Sequence, residues 1–317
     1  MMPSANIQYI RHHAIDRSKW DACISNAGNE LIYGKSGFLD NMIDEWDALV
    51  LNDYEIVMPL PVRKKWGIAY LFQPFLTPML GVFGNNLTSD VIKDFLLAIP
   101  KKILLWDISM NHSNVIPAEF QQQYRRRNYI LSLANKSYED LRAGYSESID
   151  RNITKSIRSG CTRKRNIPIE DVIDICKKEW PAFTRVSDDA FKNAKAVYTA
   201  FQDHSMTYGV YHPGGRLLAA CLFLSDGERA YYWLVGNDPA AKELGASPFL
   251  IDHFIKDHAG KDLVLDFEGS DIEGVAEFYR RFGAQPEPYT TIYRNRLPFP
   301  LNLLKRTPHY YLDLSAL

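Results

Sequence analysis

The sequence predicts an α+β protein with two consecutive domains, each a mixed, mostly antiparallel twisted sheet flanked by helices. Three observations lead to this prediction. A chain of 317 residues is long enough for two modest cores. In its C-terminal half, three short strands with glycine-containing turns between them are followed by a helix, a strand, a helix and a strand. The N-terminal half repeats this order more faintly, so we expect a duplication with domains at residues 1–135 and 136–317.

The elements of the C-terminal half are delimited by capping residues, glycines and other turn residues. Ser137 and Asp140 form a capping-box pattern at the start of a helix whose apolar residues recur every fourth position until Gly160. Strand and turn residues then alternate with helical patterns. Further helices are predicted at residues 172–181, 188–203, 247–260 and 272–282, and strands at 167–170, 206–212, 217–224, 229–235, 263–267 and 289–294.

The same periodicities are weaker in the N-terminal half. Strands are predicted at residues 7–10, 48–51, 55–62, 69–75, 103–108 and 128–133, and helices at 16–26, 36–45 and 89–99. Helices, a meander, a helix and a strand therefore follow one another in both halves, which is the basis for predicting a duplicated domain.

Composition excludes several classes of protein. The formal net charge is −1 and the sequence pI about 6.7, so no global field attracts the chain to DNA or to an anionic membrane, and any such affinity must be local. Four scattered cysteines and ungrouped histidines lead us to expect no metal site. The N terminus lacks a signal-peptide core, and no apolar run approaches the ~18 residues that cross a bilayer. We expect a cytoplasmic protein without a membrane span.

Residues 263–284 are the most informative segment. A short apolar strand leads into an acidic turn, and the turn opens an amphipathic helix that contains Tyr279. Acyl transfer to an amine needs a base for the amine proton and a proton donor for the leaving group. Glu268 is the candidate base and Tyr279 the candidate donor. Asp266, the third candidate, can instead be held by backbone N–H groups or an arginine. Tyr279 can also simply cover the core edge of its helix.

The order of the C-terminal elements resembles the GNAT superfamily of acyltransferases. A loop of the form Q/R-x-x-G-x-G/A, which holds the coenzyme A pyrophosphate at a helix start in that family, is loosely matched by Lys242 to Ser247. The resemblance implies a coenzyme A thioester as co-substrate; the alternative is that Gly245 and Pro248 only make a turn into a helix. The implied donor-binding residues are Val235, Gly236, Lys242, Gly245, Ala246 and Ser247.

A second GNAT motif, N-x-x-A-x-x-x-Y-x-x-x-G-F, is matched at Tyr279 and Gly283. Ile272 stands in place of the asparagine and Ala284 in place of the phenylalanine. In the family, this tyrosine lies beside the thioester sulfur and commonly protonates the leaving thiolate. The resemblance therefore implies the same role for Tyr279.

Two such domains in one chain look like the Fem-type transferases and the related FemAB-like acetyltransferase group. The resemblance covers nearly the whole chain, from Trp20 in the first helix and Lys35 before the second to the turn at residues 266–270. Members of this group use either aminoacyl-tRNA, adding amino acids to peptidoglycan precursors, or acyl-CoA-like donors. Many carry a long helical hairpin that binds tRNA. Residues 166–206 have no sustained heptad pattern, which favours a small thioester donor over tRNA.

Two further groups are candidates for substrate binding. Residues 125–165 contain eleven Lys and Arg against four acidic residues, and Arg151, Lys155 and Arg158 fall on one helical stripe that could bind phosphates. The alternative is a solvated helix face. Tyr232 and Trp233 alternate on a strand, so that one lies on the core face and the other could line an acceptor pocket.

These observations predict an N-acyltransferase of the GNAT type. It would move an acyl group from a thioester to an amine on a small molecule or cell-wall precursor, bound between the two domains, with one donor site in the C-terminal half. One alternative is a Fem-type aminoacyltransferase that uses aminoacyl-tRNA. The other is a non-catalytic binding module, which the missing asparagine at Ile272 and the altered pyrophosphate loop leave open.

Overall fold

The structure is a computed structural model that describes residues 6–120, 123–180, 186–269 and 271–304. The chain forms two units: unit 1 comprises residues up to Arg127 and from Pro288 onward, and unit 2 is Asn128–Glu287. This division differs from the expected domains at 1–135 and 136–317 because the chain returns to unit 1 near its end. Residues 291–295 pair antiparallel with residues 105–109, a partnership that the periodicity of a single strand does not show.

Unit 1 begins with short helices and strands in alternation. They are β1 (Ile7–Ile10), α1 (Arg17–Ser25), α2 (Ser36–Met42), β2 (Asp47–Leu51), β3 (Ile56–Leu60), β4 (Val62–Lys65), β5 (Ile68–Leu71), β6 (Phe83–Gly84), α3 (Ser89–Ala98) and β7 (Ile103–Ser109). One sheet has the strand order β1-β2-β3-β6. β4 and β5 form a hairpin, and β5 runs parallel to β7. Phe95 and Leu96 of α3 share a buried cluster with Trp106 of β7.

Unit 2 holds most of the remaining elements. They are β8 (Gln123–Ser132), α4 (Tyr138–Ala143), α5 (Glu147–Arg158), β9 (Thr162–Arg165), α6 (Ile169–Glu179), α7 (Asp188–Ala200), β10 (Ser205–Tyr211), β11 (Leu217–Ser225), β12 (Arg229–Asn237), α8 (Ala241–Leu244), α9 (Ala246–His258), β13 (Val264–Asp266) and α10 (Glu273–Arg280). The chain then returns to unit 1 through β14 (Gln285–Asn295) and ends its described part with α11 (Leu301–Leu304).

The sheet of unit 2 has the strand order β8-β13-β12-β11-β10-β9. Neighbouring strands are antiparallel except β12 and β13, which are parallel and joined by α9. Phe254 of α9 stacks on Phe223 of β11 with ring centroids 3.9 Å apart, and Ile149 and Ile153 of α5 belong to the same buried cluster. The predicted mixed, mostly antiparallel sheet flanked by helices is confirmed.

Two predicted elements before the meander were wrong. The helix predicted from Ser137 to Gly160 is two helices, because α4 ends with Gly144 as its C-cap. Ser146 then caps α5 by accepting a hydrogen bond from the N–H of Ile149. The capping box of Ser137 and Asp140 is confirmed. The strand predicted at residues 167–170 is absent from that described segment, because α6 begins at Ile169. The strand that pairs with β10 is β9, an edge strand of charged residues without apolar alternation. The predicted end of the next helix, Pro181, lies outside the described residues.

Among the helices that the structure describes, none combines the length and apolar character needed to cross a bilayer. In the same part of the chain, no three His, Cys, Asp or Glu side chains are grouped so that they could hold a metal ion.

Candidate active site

The site begins where two parallel strands of unit 2 separate. β12 and β13 pair from Arg229 with Val264 to Tyr231 with Asp266; β13 ends there, while β12 continues to Asn237. β12 also contains a bulge, because Phe223 faces Tyr232 and Leu222 faces Leu234. The extra residue is Trp233. A bulge changes the direction of backbone N–H and C=O groups. Here it lies in the part of β12 that is no longer paired with β13.

Glu268 follows the end of β13 in a strained conformation. Its φ is +65°, a left-handed value that is unfavourable for any residue other than glycine, and Gly269 continues the turn with φ +72°. The carboxylate of Asp266 stabilises this turn, since its Oδ1 accepts a hydrogen bond of 2.7 Å from the N–H of Glu268. Strain of this kind persists where the surroundings enforce it, and such positions cluster at functional sites. The charge of Glu268 acts on Tyr279 of α10, so the two side chains lie within electrostatic range of each other.

Tyr279 of α10 meets Glu268 at this point. Its ring stacks on Phe267 with centroids 4.6 Å apart and lies 6.5 Å from the ring of Tyr129. Burial raises the pKa of Tyr279, and the neighbouring charges of Glu268 and Asp266 raise it further. The phenol therefore keeps its proton at neutral pH.

Glu268 has the complementary property. Burial raises the pKa of its carboxyl group well above the ordinary value for glutamate. A carboxylate with a raised pKa is a stronger base and accepts a proton from an amine more readily. A carboxyl group with a raised pKa and a phenol that keeps its proton therefore lie within electrostatic range of each other at the end of β13. The sequence predicted both residues, although it placed Glu268 in an extended strand end.

Asp266 belongs to a buried ion-pair network. It is 1% exposed, and its Oδ2 accepts hydrogen bonds from Nη1 of Arg229 at 2.6 Å and from Nδ2 of Asn128 at 3.1 Å. Arg229 also donates to both carboxylate oxygens of Glu287, at 2.8 and 2.9 Å. Burial raises the pKa of Asp266 and the charge of Arg229 opposes this rise. Asp266 is thus held by an arginine and positions the Glu268 turn.

The partners of Asp266 were missed by the sequence analysis. These residues lie far apart in the sequence: Asn128 is in the middle of β8, Arg229 is the first residue of β12 and Glu287 is the third residue of β14. Burial disfavours the charged form of Arg229, but its hydrogen bonds to Glu287 and the charge of Asp266 outweigh that effect and raise its pKa. The available signal was an arginine at the start of an otherwise apolar strand, which needs a buried acidic partner.

The two glycines of the predicted donor site pack against helices. A Cβ on Gly236 would lie 2.7 Å from the backbone nitrogen of Cys176 in α6. A Cβ on Gly245 would overlap the carbonyl oxygen of Asn152 in α5, and the residue has φ +67° at the junction of α8 and α9. Gly245 and Ala246 are buried, whereas Lys242 is exposed. Close helix packing is therefore sufficient to explain why glycine occupies both positions.

Gly245→Ala is expected to lower the free energy of unfolding by about 3 kcal/mol, since it adds both a left-handed alanine and an overlap with the backbone of α5. Urea denaturation measures the change. Gly215→Ala is the matched control: Gly215 has φ +83°, but a Cβ there meets no atom within 4 Å, so only the conformational cost of about 1 kcal/mol should appear. Equal losses in the two variants would show that α5 does not close over Gly245.

The end of α6 covers part of the open edge of β12. Nε1 of Trp180 donates a hydrogen bond of 2.9 Å to the carbonyl oxygen of Val235. The N–H of Asn237 donates to Oε2 of Glu179 at 2.6 Å, and the Asn237 side chain accepts a hydrogen bond of 2.6 Å from Ser247. An extended ligand that added to this edge would have to replace these contacts.

The predicted substrate-binding residues lie in two different environments. Tyr232 and Trp233 are 5% and 3% exposed, so both are buried, and Tyr232 packs against Phe223. Arg151, Lys155 and Arg158 form an exposed stripe on α5. Within the described part of the chain, none of the three has an ion-pair partner, whereas Arg163 and Arg165 of β9 pair with Asp252 and Asp257. The charge of the stripe is thus left for solvent or for a ligand.

Comparison with known proteins agrees with this geometry. Residues 182–281 match a family described as an acetyltransferase (GNAT) domain. FemX superposes with a TM-score of 0.64 at 11% identity, over 94% of this chain and 99% of that chain. L-PGS from Bacillus licheniformis gives a TM-score of 0.55 at 12% identity, over 91% and 95%, and a protein of unknown function from Bacteroides thetaiotaomicron VPI-5482 gives 0.55 at 13%, over 87% and 92%. The search of curated protein sequences gave no significant match.

Residues 182–281 therefore match a GNAT domain, and the fold of nearly the whole chain is similar to that of FemX. The matched domain and the candidate acid and base together support an acyltransferase. Identities of this size establish the fold and leave the donor and the acceptor to the chemistry of the site.

Proposed function

We propose that the protein is an N-acyltransferase whose reaction takes place in unit 2, beside Glu268 and Tyr279. The acyl group would pass from a thioester or ester to an amine on a small molecule or cell-wall precursor. The observation that carries the proposal is the pairing of a raised-pKa carboxyl group with a protonated phenol where β12 and β13 separate. Acid and base groups placed together in this way are the requirement for aminolysis of an activated acyl group.

The reaction follows from these positions. The amine nitrogen attacks the acyl carbonyl carbon and forms a bond to it, while the carboxylate of Glu268 takes a proton from that nitrogen. Negative charge collects on the carbonyl oxygen, where backbone N–H groups along the open part of β12, near the bulge at Trp233, would stabilise it. The bond to the leaving sulfur or oxygen then breaks, and Tyr279 gives that atom its proton.

The surroundings of the turn at Gly245, where a coenzyme A pyrophosphate would bind, favour an ester donor over a coenzyme A thioester. A pyrophosphate needs free N–H groups at the start of a helix, and here Gly245 and Ala246 are buried against α5. In aminoacyl-tRNA, the phosphates belong to the nucleic acid backbone and no pyrophosphate has to bind at the turn of Gly245. The exposed stripe of Arg151, Lys155 and Arg158 offers a place for such phosphates. We therefore rank aminoacyl-tRNA above acyl-CoA, which reverses the order expected from the sequence.

Amide formation from each donor tests the proposal. The purified protein is incubated with a panel of amine acceptors and either acetyl-CoA or a mixture of aminoacyl-tRNAs, and the amide product is measured. We expect product with aminoacyl-tRNA, and at least a tenfold lower rate for Tyr279→Phe because the leaving group loses its proton donor. Tyr198→Phe on α7, which changes a half-buried tyrosine of the same unit, is the control and should keep the wild-type rate.

The outcomes separate the alternatives. Product from acetyl-CoA alone would restore the thioester donor and contradict the ranking of donors. No product from either class, with no donor raising the thermal midpoint, would favour the non-catalytic binding module. An unchanged rate in Tyr279→Phe would remove this tyrosine from the mechanism.

A further inference from the structure

An exposed tryptophan occupies the tip of the hairpin formed by β4 and β5 in unit 1. Lys65 pairs with Ile68, so Trp66 and Gly67 form a two-residue loop, and both have positive φ values, +52° and +79°. Asparagine or aspartate is preferred at the first position of such a loop, and a bulky residue there is costly. Trp66 recovers none of this cost by packing, because it is 89% exposed. A residue that is unfavourable for its turn and gains little from packing is a candidate for a role in binding.

The neighbourhood of Trp66 is apolar. Trp66 shares a cavity of about 230 Å³ with Ile68, Leu105, Leu297 and Leu301. This volume is below the ~300 Å³ of the smallest ordinary ligand pockets, so the cavity is a crevice rather than a small-molecule site. Beside Leu301 in the sequence, Phe299 is 80% and Leu303 is 61% exposed. Several apolar groups therefore project from the same part of unit 1.

Basic residues precede Trp66 along β4. Arg63, Lys64, Lys65 and Arg296 are exposed, and none has an ion-pair partner within the described residues. Nζ of Lys65 lies 4.9 Å from the centre of the Trp66 ring. Asp44 and Glu45 line another cavity with Arg63 and Lys64, which offsets part of the charge on that side of β4. Lys65 lines the cavity beside Trp66 and Leu297, whereas the guanidinium of Arg296 lies 5.3 Å from the centre of the Trp106 ring.

The chemistry of this surface fits a lipid bilayer better than a protein. Lysine is depleted from the centres of protein interfaces, whereas lysines beside an exposed tryptophan complement anionic headgroups. Tryptophan prefers the boundary between headgroups and acyl chains, and lysine can extend its ammonium group from that depth to the phosphates. The net charge of −1 is no obstacle, because the attraction acts over about a Debye length from a local cluster.

We propose that the hairpin surface, defined as Trp66, Lys65, Phe299 and Leu303, docks unit 1 on an anionic membrane. The indole of Trp66 enters the interface, the neighbouring leucine and phenylalanine side chains add apolar contact, and the basic side chains bind lipid phosphates. This binding is peripheral and reversible. It is independent of the acyl transfer proposed for unit 2.

Sedimentation with lipid vesicles tests the docking. Wild-type protein should bind vesicles that contain about one third phosphatidylglycerol, bind pure phosphatidylcholine vesicles more weakly, and dissociate as salt is raised. Trp66→Asn should lower binding about tenfold. It should also keep or raise the thermal midpoint, since asparagine suits the left-handed loop position, so weaker binding cannot be attributed to misfolding. Lys65→Gln should lower binding about fivefold.

Two variants elsewhere in unit 1 serve as matched controls. Leu97→Ser changes an apolar residue that is 59% exposed on α3, and Lys101→Gln removes an exposed lysine. Both should bind vesicles as the wild type does. The proposal is overturned if wild-type protein does not bind anionic vesicles, or if Trp66→Asn and the controls bind equally. It is also overturned if Trp66→Asn converts a dimer into a monomer without changing vesicle binding, because the surface would then be a contact between two copies of the chain.

Discussion

Glu268→Gln is expected to lower the turnover number by about 10²- to 10⁴-fold, the range for loss of a general base. Glutamine keeps the shape of the side chain and cannot accept the proton of the attacking amine. The substrate KM should change little, because the proposed role of Glu268 begins only as the nitrogen loses its proton. Steady-state rates of amide formation measure both constants. Glu243→Gln, at an exposed glutamate of α8 in the same unit, is the control and should leave both constants unchanged.

Stability should change in the opposite direction in the same variant. The folded state raises the pKa of Glu268 above its unfolded value, so the wild type has its full stability below the unfolded pKa of ~4.3 and loses some as pH rises through the folded pKa. Glutamine does not ionise and avoids this loss. Glu268→Gln should therefore be more stable than wild type at neutral pH and similar near pH ~4. A less stable variant at neutral pH would mean that the rate loss reflects damage to the fold.

Arg229→Met is expected to lower the free energy of unfolding by about 3–5 kcal/mol at neutral pH. The change removes the cation between Asp266 and Glu287 and leaves two acidic groups in a buried position. Urea denaturation measures the loss. It should shrink as pH falls, because both carboxyl groups can then fold in their neutral form. The Glu268 turn should also lose its support, so turnover at a temperature where the variant is folded should fall.

A matched control separates burial from pairing as the cause. Arg216 makes a two-pronged ion pair with Asp238, at 2.5 to 3.0 Å, but its side chain is 60% exposed. Arg216→Met should therefore cost about 0–1 kcal/mol, the range for surface pairs. If Arg229→Met were no more damaging than this control, Arg229 would not be the residue that holds Asp266.

Much of the fold could be predicted because its elements carry local signals. The meander of β10, β11 and β12 shows short apolar strands between glycine turns, and the capping box at Ser137 marks the start of α4. β9 gives no such signal, because Thr162–Arg165 is a charged edge strand that is defined by its pairing with β10. The return of the chain to unit 1 was also hidden, since strand periodicity contains no information about which strand is the neighbour.

The site was predictable in part for the same reason. Tyr279 and Glu268 stand in one continuous segment with a recognisable family spacing. Asn128, Arg229 and Glu287 converge on Asp266 only in the folded sheet, from strands separated by more than fifty residues. The role of Gly245 was ambiguous in the sequence, because a glycine before a helix suits a phosphate loop and close packing equally. Only the position of Asn152 in α5 distinguishes the two.

The pH dependence of turnover in wild type and Glu268→Gln tests the proposed chemistry most directly. With a saturating acceptor of low basicity, the amine stays neutral across the pH range and enzyme groups determine the profile. Wild-type turnover should rise with pH through a midpoint above the ordinary glutamate range, as Glu268 loses its proton, and should not fall again near neutrality because Tyr279 keeps its proton. The rising limb should be absent from Glu268→Gln. The same rising limb in both proteins would contradict Glu268 as the base.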